Sequence, residues 1–136
     1  MYERLMIVIV AAIFAYGSYL YLRKLQLRRA QNASIKKNNI HFKAGVQHIV
    51  YFWSQGCSQC KNAQKPMLDK LMGKIDKSNV DLIAICVDDN AELASLWGVR
   101  TLPTTYIIDE QSNVSHINNG LASEASLIRQ LKVSMP

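Results

Sequence analysis

Two cysteines separated by two residues are the side chains of this sequence best suited to chemistry. Cys57 and Cys60 lie within His48–Met67, HIVYFWSQGCSQCKNAQKPM, just after an apolar run. Residues i and i+3 of a helix have Cβ atoms about 5–6 Å apart, so a modest adjustment lets such a pair close a disulfide. The pair could therefore be a redox couple, half of a metal site, or two packing residues.

The two cysteines have different predicted surroundings. Cys57 is expected just past a strand, at the start of a helix over Ser58–Ile75, where unpaired N–H groups and the helix dipole stabilise an anion. Such a position favours the thiolate, which is the nucleophile. Cys60, one turn inside the helix, is predicted to be less exposed and suits the resolving role. Lys61 and Lys65 add positive charge, although exposed lysines contribute weakly.

A structural zinc site is disfavoured because it needs four ligands. Besides the pair, the chain offers Cys86, interpreted as a small buried hydrophobe in an apolar strand, and three histidines without ligand spacing: His41, His48 and His116. We therefore expect no metal and no cofactor. An alternative is a Cu(I) site made by the pair with a soft third ligand such as Met67.

The elements that must position the cysteines follow from hydrophobic periodicity. Val46–Trp53 is predicted to be a buried strand, and so is Val80–Val87. Between them an apolar face recurs at helical spacing, formed by Met67, Leu68, Leu71, Met72 and Ile75. Two parallel central strands joined by a helical crossover are therefore expected.

The second half of the chain predicts a short helix, a hairpin and a last helix. Asp89 and Glu92 have the spacing of a capping box, and Gly98 is placed to end that helix. Thr104–Asp109 and Val114–Asn118 flank a turn, and Ser123 is placed to cap the last helix. The fold class is α/β, with three layers around a mixed sheet.

The N-terminal segment has the composition of a membrane anchor. Leu5–Leu22 carries no charge over 18 residues, close to the roughly 20 that span a bilayer. A buried core helix is the first alternative, and a signal peptide cleaved near Ala15-Tyr16-Gly17 is the second. We predict an anchor over residues 1–22, a basic juxtamembrane linker over 23–39 and a domain over 40–136.

The distribution of charge argues against a nucleic-acid partner. The net charge is +6, and residues 1–39 hold seven Lys or Arg against Glu3, so residues 40–136 are neutral overall. Phosphate binding by the domain would need a basic face. The positive-inside rule puts the domain in the cytoplasm, yet long domains translocate largely regardless of charge. The side of the membrane therefore stays open.

Residues 40–136 resemble the thioredoxin family. The resemblance rests on Phe52-Trp53 before Cys57-Ser58-Gln59-Cys60, on Pro66 within the following helix, and on the segment Trp97–Thr104, WGVRTLPT. Gly120, before the last helix, fits as well. A thioredoxin-like fold preceded by one transmembrane helix is implied, and by this resemblance the domain would face the cell envelope.

The resemblance implies roles for individual residues. Cys57 would attack a substrate disulfide and Cys60 would resolve the mixed disulfide. Pro103 would be cis, with Leu102 pairing its backbone with the substrate chain, and the substrate surface would comprise Trp53, Thr101, Leu102 and Pro103.

Several positions depart from the family pattern. The family's buried carboxylate is replaced by Tyr51, and its lysine partner falls at Ala84. An aromatic residue usually precedes the first cysteine, where this chain has Gly56. Pro66 follows Cys60 by six residues instead of five, so either the helix bends differently or the alignment shifts by one.

The predicted function is a membrane-anchored thiol–disulfide oxidoreductase. Its predicted partners are protein thiols or disulfides at the membrane face and, through residues 5–22, membrane lipid. The upstream electron donor and the direction of electron flow stay open, because redox potential depends on Ser58-Gln59 and the thiol pKa. The competing hypothesis is a binding module or copper-delivery protein without turnover.

Overall fold

The computed structural model of the protein describes residues 1–36 and 40–133, and for residues 29–36 the backbone alone. The described elements, in chain order, are α1 (Tyr2–Lys36), β1 (Gln47–Trp53), a π-helical segment (Cys60–Gln64), α2 (Lys65–Lys74), β2 (Val80–Cys86), α3 (Ala91–Trp97), β3 (Thr104–Ile108), β4 (Val114–Asn119) and α4 (Glu124–Leu131).

Four strands form one mixed sheet in the order β2-β1-β3-β4. β1 and β2 are parallel, whereas β1–β3 and β3–β4 are antiparallel. The predicted crossover and hairpin are confirmed. The prediction that Val80–Val87 is a central strand is wrong, because β2 lies at an edge of the sheet within the described part of the chain. Its centre is consequently open to solvent at Ala84.

The two faces of the sheet carry separate hydrophobic clusters. Successive side chains of a strand point to opposite faces, so β1 divides its residues between the two. The helix cluster packs under α2 and α4 and includes Ile49, Tyr51, Cys60, Leu68, Leu71, Leu127 and Leu131. The aromatic cluster packs under α3 and includes Val50, Phe52, Trp97, Tyr106 and Ile108. This division gives the three-layer α/β fold.

The helix ends follow local capping chemistry. Gly98 ends α3 in the left-handed conformation, with φ of 72°, and the Ser123 hydroxyl accepts the Ser126 N–H at 3.2 Å, both as predicted. The capping box predicted from Asp89 is wrong, because Asn90 is the N-cap residue of α3. The Asn90 side chain instead donates to the Cys86 carbonyl.

α1 is longer than the predicted anchor. It continues as one helix to Lys36, about 52 Å at 1.5 Å per residue. Its side chains are exposed through Lys24 and become partly buried from Leu25 to Leu27. Leu27 packs against the aromatic cluster. Gln26 donates to the Gly98 carbonyl at 3.4 Å. The start of the predicted linker is therefore helical and contacts the domain.

Candidate active site

Cys57 and Cys60 form a disulfide at the start of the helical region that follows β1. Their Cα atoms are 5.3 Å apart. Cys60 is fully buried, whereas Cys57 is partly exposed. The Cys60 N–H points to the Cys57 Sγ at 3.2 Å. Cys57 is thus the more accessible of the two cysteines, and its sulfur has a backbone donor beside it.

The turn before Cys57 is held by the end of β2. The Val87 N–H donates to the Trp53 carbonyl at 2.8 Å, and the Gln55 N–H donates to Asp88 Oδ2 at 2.7 Å. The Cys57 N–H donates to the Ser54 carbonyl at 3.2 Å. These bonds fix the backbone that carries Cys57.

Gly56, at the position of the usual aromatic residue, is exposed within this turn. A Cβ placed there would meet no atom within 4 Å. A side chain at position 56 is therefore sterically allowed, and the surface beside Cys57 is open because this position is a glycine.

The spacing between Cys60 and Pro66 is explained by the π-helical segment. The Lys65 N–H donates to the Cys60 carbonyl, five residues back instead of four. Such a segment accommodates one residue more than an α-helical turn and recurs at functional sites. Pro66 consequently falls in the first turn of α2, where a missing N–H is tolerated. The extra residue between Cys60 and Pro66 is therefore accommodated by a local change in the helix, and not by a shift of the alignment.

Tyr51 lies directly behind the buried cysteine. It is 2% exposed, and its hydroxyl donates to the Cys60 carbonyl at 2.9 Å. Burial, and secondarily the negative charge of Asp69, raises the pKa of Tyr51 to about 12. Tyr51 is therefore a neutral hydrogen-bond donor at physiological pH. Its strand partner in β2 is Ala84, so neither member of the family's charged pair is present.

Gln64 is a buried site residue that the sequence analysis missed. It is 1% exposed; its Oε1 accepts the Ala122 N–H at 2.8 Å and its Nε2 donates to the Ala122 carbonyl at 3.3 Å. These bonds join the π-helical segment to the loop before α4. The signal was available, because Gln64 falls four residues before Leu68 on the apolar face of the helix.

The Leu102–Pro103 peptide bond is cis, the geometry implied by the resemblance. The Pro103 carbonyl accepts the Gly120 N–H at 2.8 Å. Leu102 and Trp53 are partly buried against the helix cluster, which also contacts Cys57. Thr101 is exposed, and its carbonyl accepts the Thr104 hydroxyl at 2.6 Å. The structure therefore brings two of the four predicted substrate-binding residues, Trp53 and Leu102, to the cluster that holds the disulfide. Thr101 is exposed and Pro103 is buried within the same loop.

Cys86 and the histidines take other positions. Cys86 is a free thiol at the end of β2, 3.5 Å from Asp88 Oδ2. It was predicted to be a small buried hydrophobe, but it is partly exposed because β2 is an edge strand. His48 is buried and accepts the Lys43 N–H at 3.1 Å, and desolvation lowers its pKa. Within residues 1–36 and 40–133, no three His, Cys, Asp or Glu side chains are grouped as for a metal.

The fold and this site define the thioredoxin-like class of α/β proteins, in which a cysteine pair opens a helix and shares a hydrophobic cluster with a cis-proline loop. The family model for thioredoxin matches residues 32–133. The chain belongs to the thioredoxin family.

Several known proteins are similar to this chain. Thioredoxin 2 of Plasmodium berghei is 37% identical over 81 residues, which cover 60% of this chain but only 50% of that protein. The thiol-disulfide oxidoreductase ResA of Halalkalibacterium halodurans is 22% identical over 107 residues, covering 62% of this chain and 60% of that protein. The solved structure of thioredoxin-2, described as a component of malaria parasite protein secretion machinery, has a TM-score of 0.60 at 24% identity, covering 70% of this chain and 88% of that one.

Proposed function

We propose that this protein is a membrane-anchored thiol–disulfide oxidoreductase that exchanges disulfides with protein substrates through Cys57 and Cys60. The observation that carries the proposal is the asymmetry of the disulfide, with one accessible sulfur and one fully buried sulfur. Membership of the thioredoxin family and the similarity to a thiol-disulfide oxidoreductase support the same chemistry.

In the reducing direction, the Cys57 thiolate attacks one sulfur of a substrate disulfide. A Cys57–substrate disulfide forms, and the first substrate sulfur leaves as a thiolate that takes a proton. The Cys60 thiolate then attacks the Cys57 sulfur, re-forming the Cys57–Cys60 disulfide and releasing the second substrate sulfur. The substrate gains two electrons and two protons, which the dithiol loses. Oxidation of a substrate dithiol is the reverse sequence.

The substrate chain would lie against the exposed side of the cis-proline loop. Thr101 and Leu102 would offer backbone groups there, and the partly exposed Trp53 would provide apolar contact, whereas Pro103 is buried and presents little surface. Gly56 leaves the rim beside Cys57 open, which favours substrates that approach with bulky side chains next to the disulfide.

The proposed anchor is the apolar part of α1. Tyr2–Arg28 is long and apolar enough to cross a membrane, and none of its most apolar window is buried in the protein. An unburied apolar helix of this length is unfavourable in water, which supports a lipid environment. The anchor would confine the enzyme to thiols and disulfides near the membrane face.

Reduction of insulin by dithiothreitol tests the catalytic assignment. We expect Cys57→Ser to lose all cysteine-dependent turnover and Cys60→Ser to accumulate mixed disulfides. Cys86→Ser is the matched control and should keep turnover. Full turnover by Cys57→Ser would refute the role of Cys57. Stoichiometric Cu(I) binding without turnover would instead favour the copper-delivery hypothesis with Met67 as third ligand.

Labelling with a membrane-impermeant maleimide tests the anchor and its orientation. In intact cells, reduced Cys57 reacts only if the domain faces outward; after lysis it reacts in either case. The mass of the mature chain distinguishes a retained anchor from a cleaved signal peptide. A chain that lacks residues 1–22 and stays in the soluble fraction would refute anchoring.

A further inference from the structure

A polar cleft lies between α1 and the domain, on the side of β4. It has a volume of about 450 Å³, and its walls include Tyr19, Leu22 and Arg23 on α1 and Arg100, Ile117 and Leu121 on the domain. None of the lining residues is acidic, and none takes part in the disulfide chemistry described above.

The base of the cleft is closed by hydrogen bonds of Gln26. Its Nε2 donates to the Gly98 carbonyl at 3.4 Å and to Asn119 Oδ1 at 3.3 Å. Arg23 lies three residues earlier on α1, about 4.5 Å along the helix axis, and Tyr19 lies about 10 Å away. The cleft therefore opens toward the apolar, N-terminal part of α1.

The exposure of α1 fixes where the membrane surface must be if this helix spans the bilayer. Leu22 is 58% exposed and ends the series of exposed apolar side chains on α1. From Leu25 onward the helix is partly covered by the domain. Leu22 is the last exposed apolar side chain of a spanning α1 and Leu25 is already partly covered by the domain, so Arg23 and the mouth of the cleft would lie at the depth of the lipid headgroups.

Two cations face this mouth without an acidic partner. Neither Arg23 nor Arg100 pairs with a carboxylate anywhere in the part of the chain that the structure describes. The local field is positive: burial lowers the pKa of His116 on β4, and the charges of Arg23 and Lys132 lower it further. Guanidinium groups match the paired oxygens of a phosphate group.

We propose that this cleft binds the phosphate of an anionic membrane phospholipid, with Arg23 and Arg100 as its ligands. The inference rests on the membrane anchor of the proposed function. Lipid is favoured over an acidic peptide because Leu22 and Leu121, 58% and 53% exposed, give the cleft an apolar rim that an acyl chain can cover.

A lipid held in this way would set the orientation of the domain. It would bridge α1 and the loop after α3, and Leu121 directly follows Gly120, which donates to the Pro103 carbonyl. The cis-proline loop would thus be kept at a constant height above the bilayer, which suits substrates whose disulfides lie close to the membrane.

The test uses the full chain in nanodiscs that contain equal amounts of phosphatidylcholine and phosphatidylglycerol. Native mass spectrometry after release measures which lipid remains bound. We expect phosphatidylglycerol to be enriched on the wild type, with about a fivefold loss of enrichment for each of Arg23→Gln and Arg100→Gln. Arg129→Gln, an exposed charge on α4 outside the cleft, is the matched control. Circular dichroism establishes that each variant is folded.

For a chain that enters the nanodiscs, three results would overturn the proposal. They are equal enrichment on the wild type and the Arg23→Gln/Arg100→Gln double variant, an equal loss for Arg129→Gln, and complete displacement of phosphatidylglycerol by millimolar inorganic phosphate or an acidic peptide. A chain that does not enter nanodiscs refutes the anchor and this site together. Retained phosphatidylglycerol on a chain without cysteine-dependent turnover refutes the oxidoreductase and leaves the lipid site standing.

Discussion

Removing the Tyr51 hydroxyl tests how the buried half of the disulfide is held. Tyr51→Phe keeps the buried ring and deletes only the hydrogen bond to the Cys60 carbonyl, at 2.9 Å. That carbonyl keeps the Lys65 N–H as a second donor, so no buried group is left unpaired. A net hydrogen bond contributes about 0.5–1.5 kcal/mol. We therefore expect the free energy of unfolding to fall by about 1 kcal/mol.

Tyr106→Phe is the matched control on the other face of the sheet. The Tyr106 ring is fully buried, and its hydroxyl donates to the Trp97 carbonyl at 2.7 Å. No other donor to that carbonyl is found among the described residues. An unsatisfied buried carbonyl costs about 1–3 kcal/mol. Tyr106→Phe should therefore destabilise the protein more than Tyr51→Phe, although it is remote from the cysteines.

The same variant tests whether Tyr51 transfers protons. Because the pKa of Tyr51 is raised to about 12, the hydroxyl stays protonated near neutral pH and cannot accept the proton of the Cys60 thiol. Tyr51→Phe should therefore leave unchanged the shape of the pH profile for attack of Cys60 on a Cys57 mixed disulfide.

The measurements are urea unfolding of the full chain in detergent and stopped-flow release of a small thiol from the mixed disulfide. A pH profile that shifts or flattens in Tyr51→Phe would mean that the hydroxyl takes part in proton transfer. A destabilisation equal to that of Tyr106→Phe would mean that the Lys65 N–H does not satisfy the Cys60 carbonyl. Either result refutes the role assigned to Tyr51.

Three further variants test neighbouring features. Gly56→Trp should change the free energy of unfolding by less than about 0.5 kcal/mol, because a Cβ at this position meets no atom within 4 Å. The same variant should alter the KM for protein disulfides. A large destabilisation would contradict the open rim. Gln64→Leu leaves two buried Ala122 backbone groups unpaired, each costing about 1–3 kcal/mol, so a loss below about 1 kcal/mol in urea would contradict the bridge. The pKa of His48 is lowered in the folded protein, so the unfolded state binds the proton first and the free energy of unfolding falls as the pH drops below 6.5. His48→Gln should weaken this pH dependence, measured by urea unfolding at a series of pH values. An unchanged pH dependence would exclude His48 as its cause.

Much of the fold could be predicted because its signals are local. The positions of β1 and of the hairpin follow from apolar runs and turn residues, and the ends set by Gly98 and Ser123 follow from capping preferences. The position of the cysteine pair could be predicted because a strand ends before Cys57 and a helical region begins directly after it. The asymmetry between partly exposed Cys57 and buried Cys60 follows from the same placement.

The features that escaped prediction depend on which elements become neighbours. An apolar run has the same composition in a central or an edge strand, so the exposure of Cys86 could not be known before the strand order. Gln64 is polar on an apolar face, but its partner Ala122 is 58 residues away along the chain. The contact of Gln26 with Gly98 spans 72 residues, and no local pattern predicts it.

The extra residue before Pro66 and the tyrosine at position 51 act on the same backbone group. The π-helical segment directs the Lys65 N–H to the Cys60 carbonyl, and Tyr51 adds a second donor from β1. An ionised carboxylate at position 51 could only accept hydrogen bonds, so it could not pair with this carbonyl. A tyrosine can, but with a pKa of about 12 it gives up the role of proton acceptor. The site thus holds the backbone of Cys60 from two sides, and the proton of its thiol must leave by a route other than Tyr51.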